Sequence, residues 1–292
     1  MTAASAAPTV GWIGLGHIGL PMAQRVAGAG FALHTWARRP AAAAPLLRAG
    51  AHWCDDAAAL AAACDIVCTC VGGPADVIAL HRRLLPAARP GTLFIDCSTA
   101  APATAVESAR LASNVGAQCL DAPVTGGVAG AQRGTLTSFV GGPAEALARA
   151  QPLLAAYSQR VVHAGAAGAG YRLKLINQTL MVGSLLAVAD AAMLARAAGL
   201  DAAALKAALA GGSGASALFD GYWLRMMAPE GPASFSLGLL RKDLGLARDE
   251  AQSLGTPTRL LDAALAAVDA ACRRHGPEAG LQMLAAPTET TP

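Results

Sequence analysis

The run VGWIGLGHIGLPMA, beginning at Val10, constrains this chain more than any other stretch. An apolar segment suited to a strand leads straight into G-x-G-x-x-G at Gly14, Gly16 and Gly19, and a helix-forming segment follows. Gly14 permits a tight turn, Gly16 lets a pyrophosphate approach the backbone, and Gly19 lets the helix pack closely on the strand. The loop residues Leu15, His17 and Ile18 lie against the same ligand, with His17 contributing its backbone rather than its imidazole. Unpaired N–H groups at the helix N-terminus then face the phosphates. In a chain with 32 glycines a bare triplet says little. The strand before it and the helix after it are what mark a dinucleotide loop.

The next strand bears on which dinucleotide. NAD sites commonly carry an acidic residue about 20 residues beyond the loop, bonded to the ribose 2′-OH. Here FALHTWARRP, from Phe31, has none. Arg38 and Arg39 stand where a 2′-phosphate would lie, and guanidinium suits phosphate geometry. Two arginines at a strand end also make an ordinary solvated edge. The missing acid and the added charge favour NADP, with NAD still possible.

Beyond the loop, short apolar runs alternate with alanine-rich helical stretches, as parallel strands joined by crossover helices require. Strands are predicted near Val10–Leu15, Phe31–Trp36, Ile66–Val71, Leu93–Asp96, Cys119–Ala122, Thr137–Val140 and Arg160–His163, with helices such as Met22–Ala29 and Ala101–Val115 between them. After the glycine-rich stretch Gly165–Gly170 the pattern becomes helical throughout. Leu173–Ala198 reads as one long helix closed by Gly199. The expected fold is α/β: a doubly wound sheet of Rossmann type over residues 1–164, then an all-helical domain over 165–292. Met1–Pro8 and Pro287–Pro292 read as fraying ends.

Composition excludes several classes. At 292 residues and 54% apolar content the chain can bury a large core. A net charge of +3 with no block of like charges does not call for nucleic acid, although it suits a small anion. Neither the N-terminal stretch nor Leu175–Ala189 reaches the roughly 18 to 20 uninterrupted apolar residues of a membrane span. No signal-peptide pattern opens the chain, so the expectation is a cytoplasmic protein with no membrane partner. Seven cysteines without C-x-x-C spacing read as reduced, buried thiols. The six histidines and Asp55–Asp56 show no metal-ligand spacing along the chain.

Two further runs can carry chemistry. DAPVTGG, from Asp121, combines the Thr125 hydroxyl with the N–H groups of Gly126 and Gly127, which suits a carboxylate and would serve equally as a turn. GAGYRLKLINQ, from Gly168, puts Lys174, Asn177 and Gln178 on one helical face, otherwise expected to be apolar with Leu175, Ile176 and Leu180 around it. A lysine there either snorkels or works.

Taken in order, the loop, DAPVTGG, GAGYRLK and the Lys242-Asp243-Leu244 run resemble the β-hydroxyacid dehydrogenase family, over about residues 10 to 286. That family includes 3-hydroxyisobutyrate dehydrogenases and tartronate semialdehyde reductases. The resemblance implies hydride transfer between NADP(H) and a small carboxylated β-hydroxyacid or semialdehyde, of tartronate semialdehyde, glyoxylate or 3-hydroxyisobutyrate type. It implies Lys174 as general acid and base, its pKa lowered by burial and by a second cation such as Lys242. Thr125, Gly126, Gly127, Asn177 and Gln178 would hold the substrate, and Val71, Thr99 and Lys242 would face the cofactor. No metal is called for. The resemblance also implies a homodimer or homotetramer built on the long helix.

Three positions depart from the family pattern: Ile18 replaces a methionine, Thr125 a serine, and Gln178 a second asparagine. The last makes the KLINQ run closer to tartronate semialdehyde reductases. The alternatives are an NADPH-dependent imine reductase and a non-catalytic nucleotide-binding scaffold. Both are disfavoured by Lys174.

Overall fold

A computed structural model describes residues 7–287 of the chain. Of the ends expected to fray, only Ala7, Pro8 and Pro287 lie among the described residues. The chain forms two compact units that meet between Lys174 and Leu175, inside the long helix, whereas the sequence pattern changes at residue 164.

The first unit is built on a nine-stranded sheet. Its strands are β1 (Val10–Ile13), β2 (Leu33–Trp36), β3 (His52–Trp53), β4 (Ile66–Thr69), β5 (Leu93–Asp96), β6 (Gln118–Asp121), β7 (Val124–Thr125), β8 (Leu136–Gly141) and β9 (Ser158–Gly165). The first six are parallel in the order β3-β2-β1-β4-β5-β6, the doubly wound arrangement whose order reverses at β1. Beyond β6 the sheet is mixed: β8 runs antiparallel to β6 and β7, and β9 parallel to β8.

Period-two alternation explains why the central strands read as continuous apolar runs. Val10, Trp12, Ile66, Cys68, Leu93 and Ile95 join the cluster under helix Gly19–Gly28 through Met22 and Val26. Ile13, Val67 and Phe94 point to the opposite cluster, with Leu60, Leu84 and Ala112 from other helices. Both faces are covered, so neither face of these strands is polar.

The second unit is helical. Ala217–Met227, Leu237–Ser253 and Arg259–His275 share a buried apolar cluster with the long helix, which runs over Ala169–Ala197, and Ala202–Leu209 packs on Ala217–Met227. Val182, Leu185, Ala189 and Ala192 of that helix are fully or almost fully buried in this cluster. Gly199, at φ +65°, closes it as expected: its N–H donates to the Arg196 carbonyl and that of Leu200 to the Ala195 carbonyl, the Schellman pattern. The helix is longer and more apolar than the sequence reading allowed, and by length and composition alone could cross a membrane. The expected apolar ring is also wrong in part. Leu175 is buried, but Ile176 and Leu180 are exposed, and the buried positions beside Leu175 are the polar Lys174 and Gln178.

Candidate functional site

The C-terminal ends of the parallel strands gather the predicted residues of the first unit. Gly14 has φ +102°, and a Cβ there would lie 2.0 Å from the Cys70 carbonyl oxygen at the end of β4. A Cβ at Gly19 would lie 2.0 Å from the Gly14 carbonyl oxygen, the close helix-to-strand approach that glycine permits. At Gly16 a Cβ would meet nothing within 4 Å, and the residue is exposed. Two glycines are thus demanded by the protein itself, whereas the third opens a bare backbone to solvent. That cradle, at the point where strand order reverses, fits a dinucleotide pyrophosphate.

The neighbouring loops line up with it. Ile13 lies opposite both Trp36 and Thr69, so the residues after β2 and β4 leave the sheet level with the glycine loop. Arg38 and Arg39, just past β2, are exposed. Val71 follows β4, its N–H donating to Ser98 Oγ at 2.8 Å, and Thr99 follows Ser98 on the neighbouring loop. Thr125 closes the short strand β7, and the exposed Gly126 and Gly127 follow at φ +123° and +65°.

A pair of buried carboxylates, to which the sequence reading gave no role, anchors the start of the long helix. Asp96 and Asp121 lie opposite one another at the ends of β5 and β6. Asp121 accepts from the Gly168 N–H at 2.9 Å and the Tyr171 N–H at 2.8 Å. Asp96 accepts from the Tyr171 hydroxyl at 2.6 Å, from the Ser98 N–H at 2.9 Å and from the Thr69 hydroxyl. Burial raises the Asp121 carboxyl from its ordinary 3.8 to about 6, against the pull of its backbone donors. Burial beside Asp96 likewise pushes the Tyr171 phenol well above its usual range. Lys174 follows one turn after Tyr171 and is only 8% exposed. A lysine that snorkels keeps its head in water, whereas Lys174 as a whole is largely buried. Gly170 fits the same junction: a Cβ there would come within 2.6 Å of the Phe139 and Asp121 carbonyl oxygens.

In the second unit the predicted residues form a polar chain. Asn177 Nδ2 donates to Gln178 Oε1 at 3.0 Å, and Gln178 Nε2 donates to Asp243 Oδ2 at 2.7 Å. Lys242 Nζ pairs with Asp243 Oδ1 at 3.0 Å. Gln178 and Asp243 are buried, and Asn177 and Lys242 are half-buried. Gln178 has both ends of its amide engaged, so it orients Asn177 as part of a braced network. Asp243, a member of the Lys-Asp-Leu run, is the bracing carboxylate.

A doubly wound sheet with a bare glycine cradle at its reversal point is the architecture of a nicotinamide-dependent dehydrogenase. Residues 9–165 match the family model for the NAD-binding domain of 6-phosphogluconate dehydrogenase, and residues 168–287 that for the NAD-binding region of NADP-dependent 3-hydroxyisobutyrate dehydrogenase. The chain belongs to the β-hydroxyacid dehydrogenase family. It is 37% identical over 267 residues to the NAD-dependent L-serine dehydrogenase of Pseudomonas aeruginosa, covering 88% of this chain and 89% of that one. The structure of Mycobacterium tuberculosis 3-hydroxyisobutyrate dehydrogenase with L-serine superposes with a TM-score of 0.83 at 31% identity, covering 96% of this chain and 98% of that one. A second structure, Psf3 in complex with NADP+ and 2-OPP, superposes with a TM-score of 0.88 at 28% identity, covering 95% and 99%. The chain is therefore an NAD(P)-dependent hydroxyacid dehydrogenase by family.

Proposed function

We propose that this protein interconverts a small β-hydroxyacid and its semialdehyde with NADP(H), using Lys174 as the proton donor and acceptor. The observation that carries this reading is the burial of Lys174 one turn beyond the Tyr171 clamp. When bound, the nicotinamide supplies or accepts the hydride at the substrate carbon. The Lys174 ammonium donates a proton to the carbonyl oxygen in the reducing direction, and the neutral amine takes the hydroxyl proton in reverse. Thr125, Gly126 and Gly127 offer a hydroxyl and backbone N–H groups to the substrate carboxylate. Asn177, held by Gln178 and Asp243, is available to orient the reacting oxygen.

The NADP preference rests on Arg38 and Arg39 leaving β2 level with the glycine loop, with no acidic residue at that strand end. Replacing both with alanine is expected to raise the NADPH KM at least tenfold and to change the NADH KM little. Equal effects on both would make these arginines plain surface charge.

The substrate is a β-hydroxy carboxylate, a class that includes both L-serine and 3-hydroxyisobutyrate. A screen of those two acids with NADP+ and NAD+, and of glyoxylate, the tartronate, methylmalonate and succinic semialdehydes and cyclic imines with NADPH, tests it. Turnover confined to cyclic imines would overturn the assignment.

A further inference from the structure

At the β3 edge of the sheet, three metal-binding side chains converge outside the site described above. His34 of β2 lies opposite His52 of β3 in a parallel pair, so their side chains leave the same face. Their rings sit 4.8 Å apart between centroids. Cys54 follows His52 by two residues, and its N–H donates to the Thr35 carbonyl at 2.9 Å, which keeps it alongside β2. Its Sγ lies 3.7 Å from His34 Nδ1, and one ligand atom from each of the three residues falls within 4.8 Å of the others.

We propose that His34, His52 and Cys54 bind a zinc-class divalent cation. With Zn–N near 2.0–2.1 Å and Zn–S near 2.3 Å, a tetrahedral ion separates its ligand atoms by roughly 3.3 to 3.6 Å. The His34–Cys54 pair already stands at about that spacing. His52, exposed on the edge strand, has room to close the remaining gap by side-chain rotation. Two imidazoles and a thiolate select zinc and its neighbours over magnesium or calcium, which prefer oxygen. Binding deprotonates the Cys54 thiol, and that proton passes to solvent. The exposed side of His52 leaves a fourth position for water. The ion would tie β2, the two-residue strand β3 and the segment entering helix Ala57–Ala63 into one unit. Spacing along the chain could not reveal this group, because its members come together only through strand pairing.

The full chain, stripped with a chelator, is titrated with Co2+ and Zn2+. Expected are one ion per chain at micromolar concentration and a thiolate-to-cobalt charge-transfer absorption. Cys54→Ser should abolish that absorption, and His52→Ala should weaken binding at least tenfold. Zinc should raise the unfolding midpoint of the parent and not of His52→Ala. Because His52 is exposed, its replacement keeps the fold, which an unchanged metal-free midpoint confirms. If Cys54→Ser does not fold, the cobalt spectrum of the parent and the His52→Ala affinity decide the matter. Binding only at millimolar metal, a spectrum without thiolate absorption, or undiminished affinity in His52→Ala would each overturn the site.

Discussion

Gly14 and Gly16 sit two residues apart and answer to different demands. An alanine at Gly14 would place its Cβ in the Cys70 carbonyl at a φ of +102°, so Gly14→Ala should cost about 3 kcal/mol of stability or more. An alanine at Gly16 would meet no protein atom, so Gly16→Ala should unfold at the parent midpoint. Its methyl group would instead stand in the path of the pyrophosphate, and dinucleotide affinity should fall at least tenfold. Calorimetric melting and cofactor titration of both variants separate the two roles. Equal destabilisation, or full affinity in Gly16→Ala, would contradict the assignment of the cradle. Asp121 carries a pH signature. Its folded-state value of about 6 lies above its ordinary 3.8, so the folded chain holds the proton more tightly than the unfolded one between those limits. Its contribution to stability therefore falls as pH rises through that window and levels off above it. Asp121→Asn should lose that slope, and at pH 7 should cost about 2 kcal/mol, because one of the two N–H donors loses its acceptor. Denaturant unfolding from pH 4 to 8 checks both. Of these residues the glycines were legible from spacing. Asp96 and Tyr171 were not, because their bond joins β5 to the long helix across 75 positions.

At the scale of elements, the long helix is where sequence reading and structure differ most usefully. The glycine run ending at Gly170 reads as loop, yet the helix begins at Ala169. Its first turn packs against the backbone of β6 and β8, and only glycine fits there. The apolar strands were readable because both sheet faces are covered. Strands β3 and β7 were missed because two residues carry no periodicity. The helix start is held by Tyr171, so Tyr171→Phe should lower stability by roughly 2 kcal/mol through the lost bond to Asp96. It should also lower kcat more than it weakens cofactor binding, since Lys174 lies one turn beyond. A variant with parent kcat would show that this clamp does not position the lysine.

For the whole molecule, one side of the same helix leaves large apolar side chains in water. Ile176 is 52% exposed, Leu180 71% and Leu194 72%, a costly display on an isolated helix face. We propose that this face joins copies of the chain. Gel filtration should give an assembly larger than the 29.1 kDa monomer, and Leu180→Asp with Leu194→Asp should reduce it. A monomer at micromolar concentration would contradict this. In the proposed mechanism, catalysis turns on one amine. In Lys174→Ala, dinucleotide affinity should stay within about twofold of the parent, since the glycine loop is untouched. Turnover should fall by two to four orders of magnitude, about the value of a positioned acid or base. The decisive measurement is kcat of Lys174→Ala on the best substrate from the screen, with cofactor affinity titrated on the same preparation. Lost turnover with retained affinity is the predicted result, and near-parent turnover would contradict the account.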